Sequence, residues 1–265
     1  MSSSPMTEFL NKVAIVTGTT GIGRAVALRL AAGGASVLAC GIEGKANREL
    51  QQQADAQGHA LQVELCDVSR PEQVQQTVNK AVTNFGGLDF LVNCAGIHPF
   101  GTVVETDPET WNRCLAVNVG SVYLLAHFAI PEMVKRGGGA IVVVASVQGH
   151  ACQRGVAAYA ASKGALLSLT RALALDHAAN CIRVNSISPG SIRTPMLERS
   201  AGHFGPDLPV DTVVHRFGEA HPLGRVGTVE EVAELAAFLL SDRSSFCTGG
   251  DYLVDGGLLA GIGVQ

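Results

Sequence analysis

The residues with the clearest chemical potential are Tyr159, Lys163 and Ser146. Tyr159 and Lys163 are four residues apart in an alanine-rich segment that favours helix, so both side chains project from one helical face. Ser146 directly follows a short apolar run, residues 140–145, which is typical of a buried parallel strand. A strand end and a neighbouring helix can bring a hydroxyl, a phenol and an ammonium group together. These groups suit one chemistry: moving a proton on or off an alcohol oxygen while a hydride leaves or joins its carbon.

The phenol needs help to act as a base, because its ordinary pKa is about 10. A nearby ammonium favours the phenolate, so we expect Lys163 to lower the pKa of Tyr159 toward the range in which a general base operates. Ser146 would hold the substrate oxygen through a hydrogen bond without ionising. A Y-x-x-x-K pattern alone arises by chance on many helices, so this interpretation needs support from the rest of the chain.

Length and composition predict an ordinary globular protein with a sizeable core. The chain has 265 residues, of which 47% are apolar and 16% are charged, and its net charge is −4. We find no lysine- or arginine-rich cluster, so nucleic-acid binding is not predicted. Residues 1–8 lack the basic and apolar regions of a signal peptide. The uncharged stretch from Cys114 to Pro131 contains polar residues and ends at proline, which favours a buried helix over a membrane span.

Cysteine and histidine usage gives no sign of a metal site or of a disulfide framework. The seven cysteines include no C-x-x-C pair, and the eight histidines show no metal-ligand spacing. Most of the cysteines lie in apolar runs, as small core residues do. Free thiols are typical of a reducing compartment, so we expect a cytoplasmic protein with no metal and no membrane partner.

Short apolar runs alternate along the chain with longer amphipathic segments. Strands are predicted at residues 13–17, 36–40, 60–65, 88–92, 140–145, 183–188 and 252–254. Helices are predicted at residues 22–32, 44–57, 71–85, 108–117, 121–135, 156–179 and 229–241. This alternation predicts the α/β class, with one domain over residues 1–265 and a doubly wound parallel sheet of about seven strands covered by helices on both faces.

Residues 194–222 interrupt this alternation with three prolines and three glycines before Pro222. A long irregular insertion in a compact domain is usually functional, so we interpret these residues as a substrate loop or lid. The alternative is a solvated loop without a role.

A glycine-rich turn, Thr17-Gly-Thr-Thr-Gly-Ile-Gly23, joins the first predicted strand to the first helix. Glycines let the backbone approach a pyrophosphate, whose charge is favoured at a helix N-terminus. Asp67-Val68 follows the third strand and Asn93-Cys-Ala-Gly96 follows the fourth. Both segments come at the carboxyl ends of strands, where open α/β sheets bind ligands.

With these motifs in place, residues 11–257 resemble the short-chain dehydrogenase/reductase family. The matching motifs are, in chain order, the glycine turn, Asp67, Asn93-Cys-Ala-Gly96, Asn118, Ser146, Tyr159 with Lys163, and Pro189-Gly190 with Thr194. The resemblance implies a Rossmann fold, an NAD or NADP cofactor, a small alcohol or carbonyl substrate and a homotetramer.

The resemblance also implies roles for individual residues. Asn118, Ser146, Tyr159 and Lys163 would form the catalytic set, in which Asn118 helps to position Lys163 and a relay water, and Lys163 also holds the nicotinamide ribose. The implied cofactor contacts are Gly18, Thr20, Gly21, Ile22, Gly23, Gly41, Asp67, Val68, Asn93, Ala95, Gly96, Tyr159, Lys163, Pro189, Gly190, Ile192 and Thr194.

The glycine turn departs from the family pattern in its length. The family has three residues between the first glycine and the G-x-G pair, whereas only Thr19 and Thr20 separate Gly18 from Gly21. Removing a residue re-aims backbone amides that must converge on one anion, so we expect a slight loss of cofactor affinity. The alternative is a shorter turn that is already adapted.

The end of the second strand bears on the choice between NAD and NADP. Alignment with the family places Gly41 at the usual acidic position and Ile42 at the usual basic position, so neither signature is present. Glu43 could reach a ribose hydroxyl, whereas Lys45 and Arg48 would reach a phosphate only if the loop folds back. The sequence therefore favours NAD, with both cofactors accepted.

Polar side chains that follow the catalytic strands predict the substrate site. These are His98, Gln148 and Gln153, together with Ser146 and Tyr159; His150 either joins them or faces water. Amide and imidazole groups suit a polyhydroxylated substrate, and the tail at residues 246–257 is loosely similar to bacterial sugar dehydrogenases of the fucose type.

The sequence thus predicts an NAD(P)-dependent oxidoreductase that acts on a secondary alcohol or carbonyl, with a sugar as a candidate substrate. The alternatives are a non-catalytic nucleotide-binding scaffold, which only the short glycine turn favours, and a lyase or epimerase that uses the cofactor transiently.

Overall fold

A computed structural model of the chain describes residues 7–261 as a parallel sheet between two layers of helices. The strands are β1 (Val13–Thr17), β2 (Ser36–Gly41), β3 (Leu61–Leu65), β4 (Phe90–Asn93), β5 (Gly139–Val144), β6 (Ile182–Pro189) and β7 (Asp251–Val254). The α-helices are α1 (Gly21–Ala32), α2 (Gly44–Ala56), α3 (Pro71–Phe85), α4 (Pro108–Leu115), α5 (Ser121–Lys135), α6 (Ala157–His177), α7 (Pro195–Phe204), α8 (Val210–Glu219) and α9 (Val229–Leu240). The predicted α/β class and seven-stranded parallel sheet are confirmed. The signal-peptide prediction rests largely on residues 1–6, which lie outside the described residues.

The strand order, β3-β2-β1-β4-β5-β6-β7, reverses direction between β1 and β4. Thr17 at the end of β1 is in register with Cys40 on β2 and with Asn93 on β4. The loops that leave these strands therefore start side by side, and they diverge at the point where the strand order reverses. Such a switch point leaves a crevice outside the carboxyl ends of the strands, which is where open sheets of this kind bind ligands.

Two apolar cores hold the helices on the sheet. One lies on the face covered by α3, α5 and α6 and includes Leu91, Leu125 and Leu166. The other lies under α1 and α9 and includes Leu30 and Val37. Each large side chain that is fully buried contributes about 1.5–3 kcal/mol, so the strand ends near the crevice are anchored from both faces.

A long helical run, Pro108–Lys135, comprises α4, a π-helical turn at residues 116–120 and α5. Within residues 7–261 it is the one helix long and apolar enough to cross a membrane, and half of its most apolar window is buried inside the fold. Leu125, Ala129 and Met133 of α5 lie in the core, which agrees with the predicted buried helix.

Residues 194–222 form two helices, α7 and α8, so the prediction of an irregular insertion was wrong. Thr194 begins α7, because its Oγ1 accepts a hydrogen bond from the Leu197 amide at 3.2 Å. Pro195 occupies the first turn, where a missing N–H costs nothing, and Pro209 directly precedes α8. The prolines thus start helices here rather than interrupt them.

Candidate active site

A cavity of about 950 Å³ lies at the carboxyl ends of the strands, within the usual size range of small-molecule sites. All of the predicted cofactor and substrate residues line it except Asn93. Of the predicted catalytic set, Ser146, Tyr159 and Lys163 line the cavity, whereas Asn118 lies behind its wall. Within residues 7–261 no group of three or more His, Cys, Asp or Glu side chains is placed to hold a metal ion.

The three cavity-lining side chains that are predicted to be catalytic come from a strand end and a helix. Ser146 follows β5, and its Oγ accepts a hydrogen bond from the Gln148 amide at 3.1 Å, which begins a short 3₁₀ turn. Helix α6 carries Tyr159 and Lys163, and the Lys163 Nζ lies 5.5 Å from the centre of the Tyr159 ring. Lys163 Nζ also donates a hydrogen bond to the Val144 carbonyl oxygen at 2.8 Å. All three side chains are more than nine-tenths buried.

The predicted lowering of the Tyr159 pKa is not found. Burial raises the pKa of Tyr159 to about 12, and the hydrogen bond with Ser146 offsets only part of this effect. Burial also lowers the pKa of Lys163 to about 8. Both groups therefore favour their neutral forms more than they would in water, because both are buried.

Asn118 lies in the π-helical turn and links two parts of the site. Its Oδ1 accepts a hydrogen bond from the Ile97 amide at 2.8 Å, and its Nδ2 donates to the Ile97 carbonyl oxygen at 3.0 Å and to Ser162 Oγ at 2.9 Å. Ser162 Oγ in turn donates to the Tyr159 carbonyl oxygen at 2.7 Å. The side chain thus braces the loop after β4 against α6, one residue away from Lys163, rather than contacting Lys163 itself.

The glycine turn has the geometry of an anion site. A Cβ on Gly23 would lie 2.1 Å from the Gly18 carbonyl oxygen, so only glycine fits there. Thr20 precedes α1 but makes no side-chain hydrogen bond to cap it. The first amides of α1 consequently lack a capping side chain, and backbone N–H groups at a helix N-terminus suit a pyrophosphate.

Asn93 is the one predicted cofactor contact that does not line the cavity. Its side chain is 3% exposed, and its Oδ1 accepts a hydrogen bond from Thr17 Oγ1 at 3.2 Å. Thr17 Oγ1 also accepts hydrogen bonds from the amides of Cys94 and Ala95, both at 3.1 Å. Asn93 therefore supports the loop after β4 from behind, because the cavity wall is formed by the residues that follow it.

At the far end of the cavity, Asp67 and Val68 follow β3. The Asp67 carboxylate accepts hydrogen bonds from the Ser69 amide at 3.0 Å and from Ser69 Oγ at 2.7 Å. Burial acts to raise the pKa of Asp67, but these hydrogen bonds and the charges of Arg113 and Arg70 outweigh it, and the pKa is lowered. An ionised Asp67 at this place can accept hydrogen bonds from a ligand.

The substrate end is marked by His98, whose ring centre lies 4.2 Å from that of Tyr159. Burial lowers the pKa of His98 to about 4, so the ring is neutral at pH 7. Its Nδ1 is buried without a hydrogen-bond partner among the described residues, and the same holds for Gln148 Oε1. Gln148 Nε2 donates to Gln153 Oε1 at 3.3 Å.

An aromatic cluster behind His98 was not found by the sequence analysis. The ring of Phe100 stacks on that of His203 at a centre-to-centre distance of 3.9 Å and an angle of 7°. Phe204 meets Phe100 edge-on at 5.5 Å, and Phe100 in turn lies 5.0 Å from His98. The cluster joins the loop after β4 to α7. Phe100 and His203 are 103 residues apart, so no local sequence pattern predicts their contact.

His150 does not take part in the site. Its Nε2 lies 2.7 Å from Asp251 Oδ2, and it does not line the cavity, so of the two positions that the sequence left open the structure shows the one outside the substrate pocket. Conversely, Leu258 and Leu259 line the cavity although the sequence analysis did not select them. Asp255 holds this tail in place, because its carboxylate accepts hydrogen bonds from the amides of Gly257 and Leu259, both at 2.9 Å.

The chain is similar in sequence and in fold to known proteins. A family model described as "Enoyl-(Acyl carrier protein) reductase" matches residues 16–259. A cyclohexanol dehydrogenase of an Acinetobacter species is 38% identical, with 94% of this chain and 95% of that protein covered. The meso-2,3-butanediol dehydrogenase of Serratia marcescens is 37% identical, with 97% and 98% covered. The ligand-free structure of an aldohexose dehydrogenase from Thermoplasma acidophilum superimposes with a TM-score of 0.89 at 33% identity, with 98% of each chain covered.

Proposed function

The chain belongs to the short-chain dehydrogenase/reductase family of NAD(P)-dependent oxidoreductases, which act on CH–OH groups, and we propose that its substrate carries oxygens next to the reacting carbon, as a vicinal diol or an aldose does. The buried polar atoms of His98 and Gln148 carry this proposal. Both residues line the cavity, and each has a buried atom that finds no partner among the described residues. Buried polar groups are rarely left unpaired, so a substrate that supplies hydrogen-bonding groups fits this wall better than a hydrocarbon does.

The catalytic residues then have separate tasks. Ser146 Oγ holds the substrate oxygen by a hydrogen bond, and Tyr159 Oη gives a proton to that oxygen during reduction or takes one from it during oxidation. Lys163, when protonated, places a positive charge near the phenol and favours the phenolate. The bound nicotinamide would accept or supply the hydride. Because the pKa of Tyr159 is about 12 in the protein without cofactor, the phenol is protonated at neutral pH and can donate a proton during carbonyl reduction.

The residues present fit a dinucleotide. The amides of the glycine turn would hold the pyrophosphate, Asp67 and Val68 the adenine, and Ile192 and Thr194 the nicotinamide end. Glu43 lines the cavity after β2, whereas Lys45 pairs with Glu49 at 3.8 Å outside it. A carboxylate accepts hydrogen bonds from a ribose and repels a 2′-phosphate, so we propose that NAD is preferred and that NADP is also accepted.

The remaining assignments are proposals of the same kind: one domain, a cytoplasmic location and a homotetramer. Support for assembly comes from large apolar side chains exposed on the long helices, with Tyr123 of α5 at 57% and Leu175 of α6 at 82%. Light scattering at micromolar concentration should give four times the chain mass, and a monomer mass would contradict the tetramer.

The alternative of a non-catalytic scaffold is not favoured, because such a protein has no use for Ser146, Tyr159 and Lys163 in one buried cluster. An assay of the purified protein decides between these functions. Vicinal diols and aldoses, with cyclohexanol as the apolar control, would be combined with NAD and with NADP while the absorbance of the reduced nicotinamide is followed. We expect kcat/KM for the best diol or aldose to exceed that for cyclohexanol by about tenfold or more.

Two matched variants test whether His98 and Gln148 cause the substrate preference. Gln148→Leu and His98→Leu should each reduce the preference for the diol or aldose over cyclohexanol, because they remove the polar partner. A wild-type preference for cyclohexanol would contradict the substrate proposal. Cofactor binding without turnover of any alcohol or carbonyl would instead support the scaffold.

A further inference from the structure

The short glycine turn is fastened to the neighbouring strand through a pair of buried polar side chains. Thr19 Oγ1 donates a hydrogen bond to Asn47 Oδ1 at 2.6 Å, and the two residues are 3% and 8% exposed. Thr19 lies in the turn between β1 and α1, whereas Asn47 lies in the first turn of α2, 28 residues later. The contact thus connects the cofactor turn to the next βα unit.

Asn47 is itself held by the ends of two strands. Its Nδ2 donates hydrogen bonds to the Gly41 carbonyl oxygen at 2.9 Å and to the Glu64 carbonyl oxygen at 3.1 Å. Both amide hydrogens and the carbonyl oxygen of the side chain are therefore engaged inside the protein. Such a fully satisfied amide has one low-energy orientation, so Thr19 meets a fixed acceptor.

The pair also explains why residue 41 is glycine. A Cβ on Gly41 would lie 2.5 Å from Thr19 Oγ1, closer than atoms pack, and 3.2 Å from Asn47 Oδ1, which is a tight contact. The Thr19 side chain therefore fills the volume in which a side chain at position 41 would begin. The position of the Thr19 side chain and the lack of a side chain at residue 41 are therefore linked by this shared space.

We propose that Asn47 is a positioning residue for the cofactor: through Thr19 it holds the six-residue glycine turn in the conformation that receives the pyrophosphate. The turn is then adapted to its length, contrary to the loss of affinity expected from the sequence. A turn released from Asn47 samples further conformations, and the apparent Kd rises in proportion to the fraction that cannot bind. The inference rests on the cofactor site of the proposed function and is independent of the substrate.

Equilibrium titration of NAD and NADH by calorimetry tests the pair without any need for turnover. Thr19→Val keeps the shape of the side chain but removes the hydroxyl, and we expect Kd to rise about tenfold, as the loss of one hydrogen bond predicts. Thr19→Ser keeps the hydroxyl and should bind nearly as the wild type does. In steady-state kinetics the cofactor KM of Thr19→Val should rise in step with Kd, by a much larger factor than any change in kcat at saturating cofactor.

A control separates positioning from general stability. Ser244 is 1% exposed, lies outside the cavity lining, and donates a hydrogen bond to the Leu239 carbonyl oxygen at 2.9 Å. Ser244→Ala should lower the melting temperature without changing Kd, whereas Thr19→Val should change Kd.

A double-mutant cycle tests the shared volume. Gly41→Ala should weaken cofactor binding because its Cβ meets Thr19 Oγ1, and it should weaken binding less in a Thr19→Gly background, where that atom is gone. Additive effects of the two substitutions would contradict the shared volume.

The outcomes distinguish the inference from the proposed function. Wild-type affinity in Thr19→Val, a Thr19→Ser variant as weak as Thr19→Val, or a lower kcat with unchanged affinity would overturn the inference alone. Failure of the wild-type protein to bind either cofactor would overturn both the inference and the proposed function.

Discussion

Two walls of the cavity differ in how many buried apolar side chains hold them in place. The catalytic wall belongs to β5 and α6, and Leu166 and Leu167 of α6 lie in one of the two main cores. The lid wall belongs to α7 and α8, whose own buried cluster consists of Ala201, Val213 and Val214. Few buried apolar contacts mean a low local free energy of opening, so we expect the lid wall to open more readily than the catalytic wall.

The polar contacts of the two walls differ in the same sense. The Lys163 and Asn118 hydrogen bonds are buried and lie between elements of the main fold. On the lid, Arg193 pairs with Glu198 at 3.0 Å and with Asp211 at 2.7 Å, and all three side chains are well exposed. Exposed pairs of this kind contribute about 0–1 kcal/mol each. The proposed proton-transfer group, Tyr159, would then lie opposite a wall that opens more readily, an arrangement suited to substrates that must enter and leave.

The largest effect should follow from Tyr159→Phe on the catalytic wall. The variant removes one hydroxyl at the site of proton transfer, so kcat should fall by about 10²–10⁴-fold while the fold and the cofactor Kd stay nearly unchanged. Steady-state kinetics, with circular dichroism and calorimetry as controls, measure these quantities. A variant that keeps half of the wild-type rate would show that another group transfers the proton.

His98 lies between the walls, and its burial predicts a pH-dependent stability. The folded protein holds the pKa of His98 at about 4, below the ordinary value of 6.5, because burial disfavours the charged ring. The unfolded chain therefore binds more protons between these values, and stability is lost as the pH falls from 6.5 to 4. The loss should approach roughly 3 kcal/mol at the lower end.

Urea unfolding at pH 7 and at pH 4.5 measures the effect of His98. The matched control is His98→Phe, which cannot be protonated and should show a smaller loss of stability over the same range. Equal losses in the two proteins would mean that His98 is not buried in its neutral form.

Lys163→Met should separate activity from stability on the catalytic wall. Removal of the ammonium should lower kcat by about 10–100-fold, as expected for loss of a hydrogen bond to a charged group, and should also weaken cofactor binding. The same change removes a charge that is 5% exposed and whose pKa burial lowers to about 8, so the melting temperature should rise. A lower melting temperature would indicate that the hydrogen bond to Val144 outweighs the cost of burying the charge.

The smallest effect is expected on the lid wall, where Phe100→Ala removes the stack with His203. Aromatic pairs contribute about 0.5–1.5 kcal/mol beyond burial, so the substrate KM should rise up to about tenfold with kcat nearly unchanged. His203→Ala should have a similar effect, and the double variant should be little worse than either single variant because both remove the same contact. A loss of kcat without a change in KM would place Phe100 on the catalytic wall instead.

Local patterns in the sequence were sufficient for most of the fold and for the reacting groups. The ends of β1, α3 and α5 agree with the predicted ones, because apolar periodicity and flanking proline or glycine act over a few residues. Tyr159 and Lys163 are set by the period of one helix. The prediction of irregular structure for residues 194–222 was wrong because Pro195 and Pro209 were interpreted as breaks. Pro195 lies in the first turn of α7 and Pro209 directly precedes α8, and proline at the start of a helix does not interrupt it.

Features that depend on contacts between distant residues could not be predicted from local sequence patterns. The Thr19–Asn47 hydrogen bond joins residues 28 apart in two βα units. Without this contact, the sequence analysis could only interpret the short glycine turn as a loss of cofactor affinity. The pKa of Tyr159 was expected to follow its charged neighbour, but burial has the larger effect, and burial is known only once α6 is packed. The hydrogen bond between Thr17 and Asn93 joins residues 76 apart that the register of β1 and β4 places side by side, so the sequence analysis did not find it.

The central position of β1 also has a consequence during synthesis. One neighbour of β1 in the sheet is β2, which is synthesised soon after it. The other neighbour is β4, which is synthesised only after β3 and α3, so that Thr17 and its partner Asn93 are 76 residues apart. A nascent chain that ends between residues 65 and 90 therefore presents β1 as an open edge, although all five of its residues are buried in the finished protein. Open apolar edges pair readily with other chains. The newborn protein therefore exposes an apolar edge at β1 while α3 is leaving the ribosome, until β4 has emerged and paired with β1.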